Sequence, residues 1–442
     1  MYHSTRLLIM SAMSLVISLG WCSFRILVVV SEYHQHQHTR VQGNHSWYQQ
    51  VTKRLRQGNK PKTIRLQVQR AFNRTKNRMT TTTDSSLYSF RIVQLADLHL
   101  GENAWTEWGP RNDHKTAQAI HRILSNHEPK PDLLVLSGDQ ITANNIDRNA
   151  SAYYKWLAET VLSPHGIPWA MIFGNHDDAP MEEHDLTMDN NQRRQGKTSR
   201  TQLAQTDQQY DLSLTQIGPG HVFGTSNYVL NIYHDHKNPQ QAHEIAARIV
   251  LLDSGGGSLP QQIHSSQLTW LHQIQQHRRR GHPAPTIVFS HIPTRQFRQS
   301  STTSHCLGMH KDGVSFLDRD AGLVDTLAND PNVLLLAVGH NHGNDYCCHY
   351  QQQPTRTKNT THYTTIMVDH NQQKGPSDLH LCFGRHSGYG GYGTWDRGAR
   401  VYDLHWDFDT GNFVSWSSHV RMENGSIVDE YTPSRTNNTS YE

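Results

Sequence analysis

Five short stretches of the 442-residue chain carry side chains able to hold metal ions. They are Asp97-Leu98-His99, Gly138-Asp139, Gly174-Asn175-His176-Asp177, Ser290-His291 and Gly339-His340-Asn341-His342. Asp97, His99, Asp139, Asn175, His291, His340 and His342 together offer imidazole nitrogens beside hard oxygen donors. That mixture suits zinc, iron or manganese and does not suit a thiolate-type centre. The set is too large for one tetrahedral ion, whereas two ions sharing Asp139 as a bridge use all of it. A pair of ions clamps a phosphoryl group and lowers the pKa of a bound water, giving a hydroxide for in-line attack. Side chains two residues apart on an extended segment share a face, so Asp97 with His99, and His340 with His342, can converge on one site.

The elements that must position these donors are also legible. Most of the five stretches follow a short apolar, β-branched run, at residues 91–95, 133–136, 169–173, 286–289 and 333–338. Such runs read as buried parallel strands, and open α/β sheets bind ligands at the C-terminal ends of such strands. Helical spacing marks residues 114–127, where Ala117, Ile120, Ile123 and Leu124 align, and residues 265–277, where Leu268, Leu271 and Ile274 do. Residues 152–162 and 321–328 read as further helices, and 227–233 and 249–253 as strands. Residues 401–408 and 413–420 form a hairpin pattern across Asp409-Thr410-Gly411. Gly255-Gly256-Gly257 is a turn without the Lys-Ser/Thr ending of a phosphate loop. Gly388-Tyr389-Gly390-Gly391-Tyr392-Gly393 reads as a turn by composition, the alternative being backbone packed close to a site. Residues 180–220 read as an insertion, with a Gln/Arg/Thr-rich part at 189–209, that is either mobile filler or a substrate-selecting rim.

The ordered set of five stretches resembles the signature of the calcineurin-like metallophosphoesterases. Further stretches are similar to the purple-acid-phosphatase-like branch of plants and the related fungal cell-cycle phosphatase group. They include Gln216-Ile217-Gly218-Pro219, Ser226-Asn227-Tyr228-Val229-Leu230, Leu252-Asp253-Ser254-Gly255-Gly256-Gly257-Ser258, residues 339–348, residues 382–393 and Arg397-Gly398-Ala399-Arg400. The resemblance implies an α/β fold, a four-layer αββα sandwich with a single catalytic domain. It also implies hydrolysis of a phosphate monoester, in a phosphoprotein or a small phosphorylated molecule, by a two-metal-activated hydroxide. Asp97, His99, Asp139 and His342 would surround the first ion, and Asp139, Asn175, His291 and His340 the second. The ions would be two divalent or trivalent cations drawn from Fe, Zn and Mn. His176 would face the phosphate and protonate the leaving alkoxide, a role an imidazole fills near neutral pH. Asp177 would serve beside it, orienting His176 or a neighbouring turn. Asn175, His176, Arg385 and His386 would contact the phosphate.

Two positions depart from true purple acid phosphatases. Thr142 stands where that group has its tyrosine, and His99 where it has a glycine. The expectation is a colourless protein with His99 as an extra ligand. The rivals are a phosphodiesterase or nuclease on the same scaffold, and a catalytically silent binding scaffold. A silent scaffold should have gaps in its ligand set, and this sequence has none.

Forty-one Lys and Arg against 38 Asp and Glu give a net charge of +3, which does not call for a nucleic-acid partner. Residues 7–24 form an apolar run behind Arg6, interrupted by Arg25, so residues 1–31 read as a signal anchor or signal peptide, with membrane contact if uncleaved. Residues 32–87 read as a polar, basic linker, 88–432 as the catalytic domain and 433–442 as a disordered tail. Sequons stand at Asn44, Asn73, Asn149, Asn359, Asn424, Asn437 and Asn438. Cys306, Cys347, Cys348 and Cys382 allow up to two disulfides in an oxidising lumen, with the pairing open. These features point to the secretory pathway, membrane-anchored or secreted or vacuolar, with a cytoplasmic location as the alternative.

Overall fold

A computed structural model of the chain describes residues 64–70, 87–125, 129–146, 150–180, 198–234, 244–278, 284–303, 306–351 and 378–433. The apolar run at 7–24, the tail beyond 433 and every sequon except Asn424 lie outside these residues. Asn424 is exposed. Among the described residues no helix is long and apolar enough to cross a membrane.

The predicted runs are strands buried along their whole length: Leu133–Ser137, Trp169–Ile172 and Thr286–Phe289 are buried at every position. A strand apolar on both faces must be covered on both, and the alternation of its side chains shows by what. Phe90, Ile92, Val135, Ala170 and Ile172 point into one core with Ile249, Ile287, Phe289, Leu335 and Ala337. Their neighbours Val93, Leu95, Leu134, Leu136 and Met171 point the other way, onto Ile120, Ile123, Leu157 and Val161. Val250, Val288, Leu336 and Val338 turn outward onto Leu271, Leu323 and Leu327. Two sheets face each other and helices cover both outer faces, which is the four-layer αββα sandwich.

One sheet runs, in spatial order, Ile427–Tyr431, Phe413–Met422, Gly398–Asp407, Leu87–Leu95, Leu133–Ser137 and Trp169–Ile172, with Gln69–Arg70 also paired to Leu87–Leu95. The other runs Leu66–Gln67, Tyr228–Tyr233, Ile245–Leu251, Thr286–Phe289, Val333–Val338, His380–Phe383, Cys347–His349 and Cys306–Leu307. The strands that lead into the donor stretches are parallel within each sheet. The sheets meet at their C-terminal ends, where Ala96 bridges to His386 and the Ser387 amide donates to the Ala96 carbonyl at 2.9 Å.

Three boundaries differ from the sequence reading. Leu66–Gln67 and Gln69–Arg70 fall in the stretch read as linker, yet they pair with Ile232-Tyr233 and Tyr88-Ser89. The first long helix starts at Trp108 rather than 114. The stretch read as an insertion is integrated in its second half: Arg200–Asp207 is a helix, capped by a reciprocal Ser199–Gln202 box, with Leu203 and Ala204 in the core. Residues 181–197 lie outside the described residues. The four cysteines pair as Cys306–Cys348 and Cys347–Cys382, each joining residues directly opposite across a ladder.

Arg200 shows why that helix belongs to the fold. Its buried guanidinium lies 3.1 Å from Asp178, bonds Asp253, and donates to the carbonyls of Gly174 at 2.9 Å and Gly256 at 2.8 Å. Breaking a buried pair from one side leaves an uncompensated charge. Arg200→Met is expected to cost about 3–5 kcal/mol in urea unfolding, and Arg200→Met with Asp253→Asn less than the sum of the two single changes.

Candidate metal centre

Asp97, His99, Asp139 and His340 sit at positive φ, at 57°, 47°, 53° and 78°. Non-glycine residues rarely adopt this region, and such strain gathers at functional sites. Here it turns each side chain inward from the end of its strand. The backbone ladder continues past the strands to hold the turns: the His99 amide donates to Asp139 at 2.9 Å and the Gly339 amide to His291 at 3.0 Å. Gly138, at φ +105°, lies so close to the His291 ring that a β-carbon would strike it.

The donors fall into two groups. One ligand atom each from Asp97, His99 and His342 lie within 4.8 Å of one another, as do those of Asp139, His291 and His340. Asp139 links the groups, its Oδ2 3.1 Å from His291 Nε2 and 3.6 Å from His99 Nε2. Asn175 Oδ1 lies 3.2 Å from His291 Nε2. Asp97, His99, Asp139, His291 and His342 are buried, while Asn175, His176 and His340 are partly exposed and mark the open side.

The imidazoles are oriented from behind. His291 Nδ1 donates to the Ser137 carbonyl at 2.9 Å, and His342 Nδ1 to the Tyr392 carbonyl at 2.8 Å. His99 Nδ1 bonds Thr142 Oγ1 at 3.0 Å. Each anchor turns Nε2 inward, which is how metal-ligating histidines are held. In their neutral forms the inward nitrogens of His291 and His342 are lone pairs, and His291 Nε2 then confronts two oxygen acceptors. His99 Nε2 and His342 Nε2 face each other at 3.2 Å. Without an ion the Thr142 hydroxyl can donate to His99 Nδ1 and His99 Nε2–H to His342. With the Nε2 lone pairs inward, the same nitrogens and the Asp97 and Asp139 carboxylates make a donor set that fits a pair of metal ions.

Protonation in the metal-free site follows from the same crowding. Burial alone would lower His291, but Asp139 lifts it to about 9. Burial raises Asp97 to about 7. Burial would raise Asp139 too, but His291 and His176 hold it well below the usual carboxylate range. Burial lowers His340 to about 3 and His342 to about 4, and takes His99 well below its ordinary value.

His176 stands at the opening, its ring edge-on to His99 at 4.9 Å and its backbone amide donating to Asp139 Oδ1 at 2.7 Å. Its Nδ1 is buried and has no hydrogen-bond partner. Asp177, grouped with the catalytic residues as orienting His176 or a neighbouring turn, takes the second role and is a positioning residue. Its buried carboxylate accepts the amides of Asp139, Gln140, Ile141 and Gly174 at 2.8–3.2 Å and the Tyr154 hydroxyl at 3.2 Å. Two further expectations give way to burial. Arg385, read as a phosphate contact, spends its guanidinium on Asp345 at 2.7 Å and the Asp396 carbonyl at 2.8 Å. His386 is fully buried and lies behind His342, the ring centroids 4.0 Å apart.

Sequence reasoning did not single out Tyr392. Its ring stacks on His342 at 4.1 Å, and its hydroxyl accepts from the His342 amide at 3.2 Å and bonds Asp312. The Gly388–Gly393 stretch is thus backbone packed on the site, the less favoured of its two readings. Gly391, at φ +72°, has no room for a β-carbon beside His342 and His99.

A family model described as calcineurin-like phosphoesterase matches residues 90–344. The chain is 26% identical over 345 residues to an Arabidopsis thaliana protein named probable inactive purple acid phosphatase 28, covering 71% of this chain and 75% of that protein. It is 27% identical over 292 residues to phosphatase DCR2 of Saccharomyces cerevisiae, covering 60% of this chain and 46% of the relative. Among solved structures, a dimetal phosphatase from Danio rerio aligns at 13% identity and a TM-score of 0.42, covering 78% of this chain and 99% of that chain.

Two outcomes test this geometry. Thr142→Val leaves His99 Nδ1 without its anchor and is expected to weaken metal binding about 10–100-fold, read by competition with a chelator, with little change in unfolding. In the metal-free protein His291 holds, up to about pH 9, a proton that the unfolded chain with its ordinary value of 6.5 has released, and Asp97, raised from 3.8 to about 7, finishes releasing its own at the start of that window. The folded state therefore binds more protons, and stability falls as pH rises. The melting temperature of chelator-treated protein is expected to drop between pH 6.5 and 9, and reloaded metal to remove most of that slope.

Proposed function

This chain belongs to the calcineurin-like phosphoesterase family, and on that footing we propose that it is a phosphatase hydrolysing phosphate monoesters. The observation that carries the reading is the completeness of the donor set. Every position expected to hold metal is filled, and the anchored nitrogens of His99, His291 and His342 converge with Asp97 and Asp139. An ungapped, back-anchored set argues against a silent scaffold, although the Arabidopsis relative bears the word inactive in its name.

Asp97, His99, Asp139 and His342 would hold one ion, and Asp139, Asn175, His291 and His340 the other. Two such cations, drawn from Fe, Zn and Mn, would when bound supply a hydroxide nucleophile and a Lewis-acid clamp on the phosphoryl oxygens. The residues of the chain do the rest. Asp177 fixes the Asp139 turn against the Gly174 turn, so that Asp139 and Asn175 keep their separation. His176, held by its amide on Asp139, presents its ring at the opening and gives a proton to the leaving alkoxide. The partly exposed Asn175 and His176 are the contacts left for the phosphate once Arg385 and His386 are withdrawn. Thr142 leaves no tyrosinate to colour the centre. The substrate is a phosphoprotein or a small phosphorylated molecule. Two cross-strand disulfides and the exposed Asn424 sequon support a secretory-pathway location.

The test is hydrolysis of p-nitrophenyl phosphate and its bis-ester by protein reloaded with Fe, Zn or Mn. Turnover of the monoester above the diester is expected, with a loss of at least about 100-fold in Asp139→Asn, which removes a charge from both ions. Diester turnover exceeding monoester turnover would replace this reading with a phosphodiesterase. His176→Ala is expected to lower kcat by about 10²–10⁴ on an alkyl phosphate and by less on the nitrophenyl ester, whose leaving group needs little protonation.

A further inference from the structure

A second kind of donor cluster lies at the other end of the sheet. Strands Cys347–His349 and His380–Phe383 pair antiparallel, with His349 directly opposite His380. Opposite residues share a face, with β-carbons about 4.5–5.5 Å apart. Asp378, two residues before His380, falls on that face too. One ligand atom from each of His349, Asp378 and His380 lie within 4.8 Å of one another. His349 Nε2 is 3.7 Å from Asp378 Oδ1, and the two imidazole centroids are 5.1 Å apart.

This cluster is built rather than incidental. His380 is buried, with its ring edge-on to Trp416 at 5.1 Å and to Tyr431 at 5.6 Å. Its Nδ1 donates to the Leu334 carbonyl at 3.3 Å, which leaves Nε2 as the coordinating atom. The same back-anchoring orients the histidines of the main centre. The Cys347–Cys382 disulfide joins the same two strands two residues along on the same face, so the strand separation at the histidine pair is set covalently. His386, which stacks behind the main centre, lies six residues on from His380, about 20 Å along an extended chain.

We propose that His349, Asp378 and His380 form a separate site for a divalent transition metal of the zinc type. Zinc bonds of about 2.0–2.1 Å at tetrahedral angles place ligand atoms about 3.3–3.4 Å apart. The cluster therefore closes by rotation of two side chains toward a third that is fixed. The two that must move, His349 and Asp378, have side chains 35% and 62% exposed. Two imidazoles and one carboxylate leave the fourth position to water. The site staples the strand Cys347–His349 to its neighbour near the sheet edge. The segment entering that strand carries His340 and His342, so the ion braces the outer end of a ligand-bearing loop. Its role is structural, and it does not depend on the proposed phosphatase activity.

The experiment is a metal count on the full chain by plasma mass spectrometry after saturation with zinc and removal of free ion. Asp97→Asn with Asp139→Asn is expected to retain one zinc per chain through the His349 site. Adding His349→Ala or Asp378→Asn to that background is expected to remove it. In otherwise unaltered protein, either of these exposed changes should lower the count by one, abolish the corresponding rise in melting temperature on zinc addition, and leave the circular dichroism spectrum unchanged. Retention of the same count in both single variants would overturn the proposal, as would a zinc count of zero in the Asp97→Asn, Asp139→Asn protein with an unchanged dichroism spectrum. Neither result depends on whether any phosphate ester is hydrolysed.

Discussion

The donors around Asp139 all turn their ligand atoms toward a common centre. His99 and His342 direct their Nε2 atoms at each other, and His291 directs its own at two oxygens. Each ring could turn away only by giving up a hydrogen bond behind it, to Thr142, Tyr392 or Ser137. The hydrogen bonds behind the rings therefore fix the donors in place before an ion arrives. Four of the site's residues also sit at positive φ, each worth on the order of 1–3 kcal/mol of strain. Preorganisation of this kind is what makes a metal site selective in geometry, because the ligand atoms are oriented before the ion binds.

The turns that carry these donors are held by a shell of buried polar contacts behind the site. Asp177 gathers four amides from two different turns, so the turn carrying Asp139 and the turn carrying Asn175 move as one. Arg200 ties the Gly174 carbonyl to the loop at Gly255 and Gly256, and through Asp253 to Thr225 and Ser226. Arg385 and Asp345 do the equivalent work under the His342 loop, with the Asp345 carboxylate also accepting the Met309 amide at 2.5 Å. These groups look catalytic by residue type, being charged and next to ligands in sequence. Their burial shows that they act on the ligands rather than on a substrate.

This explains which parts of the molecule could be read in advance. The strand-then-donor pattern is local, because a parallel strand buried on both faces is apolar throughout and its donors begin where the apolar run ends. Residues 133–139 and 286–291 needed no tertiary knowledge. Asp177, Arg385 and His386 did, since a carboxylate or guanidinium near a ligand reads the same whether it faces the opening or the backbone behind. Leu66–Gln67 and Gln69–Arg70 were hidden by the basic composition around them, and only their partner strands define them. The helix Arg200–Asp207 did carry a local signal, the Ser199-x-x-Gln202 spacing of a capping box, masked by polar residues that suggested an unstructured stretch. Tyr392 lay within a glycine-rich run that favoured a turn, and nothing in the run indicated which of its residues would stack on His342.

The two departures from the purple acid phosphatase pattern are physically a single change. A glycine at position 99 asks nothing of its neighbours, whereas an imidazole there must have its outer nitrogen engaged if its inner one is to reach a metal. The group that engages it is Thr142 Oγ1 at 3.0 Å, at the position where the pattern has its tyrosine. A tyrosine at this buried position could not place its hydroxyl where Thr142 Oγ1 meets His99 Nδ1. A threonine is short enough to leave room for the ring and polar enough to hold it. The histidine at 99 and the threonine at 142 thus act as one unit, the hydroxyl fixing the ring whose Nε2 lies 3.6 Å from Asp139.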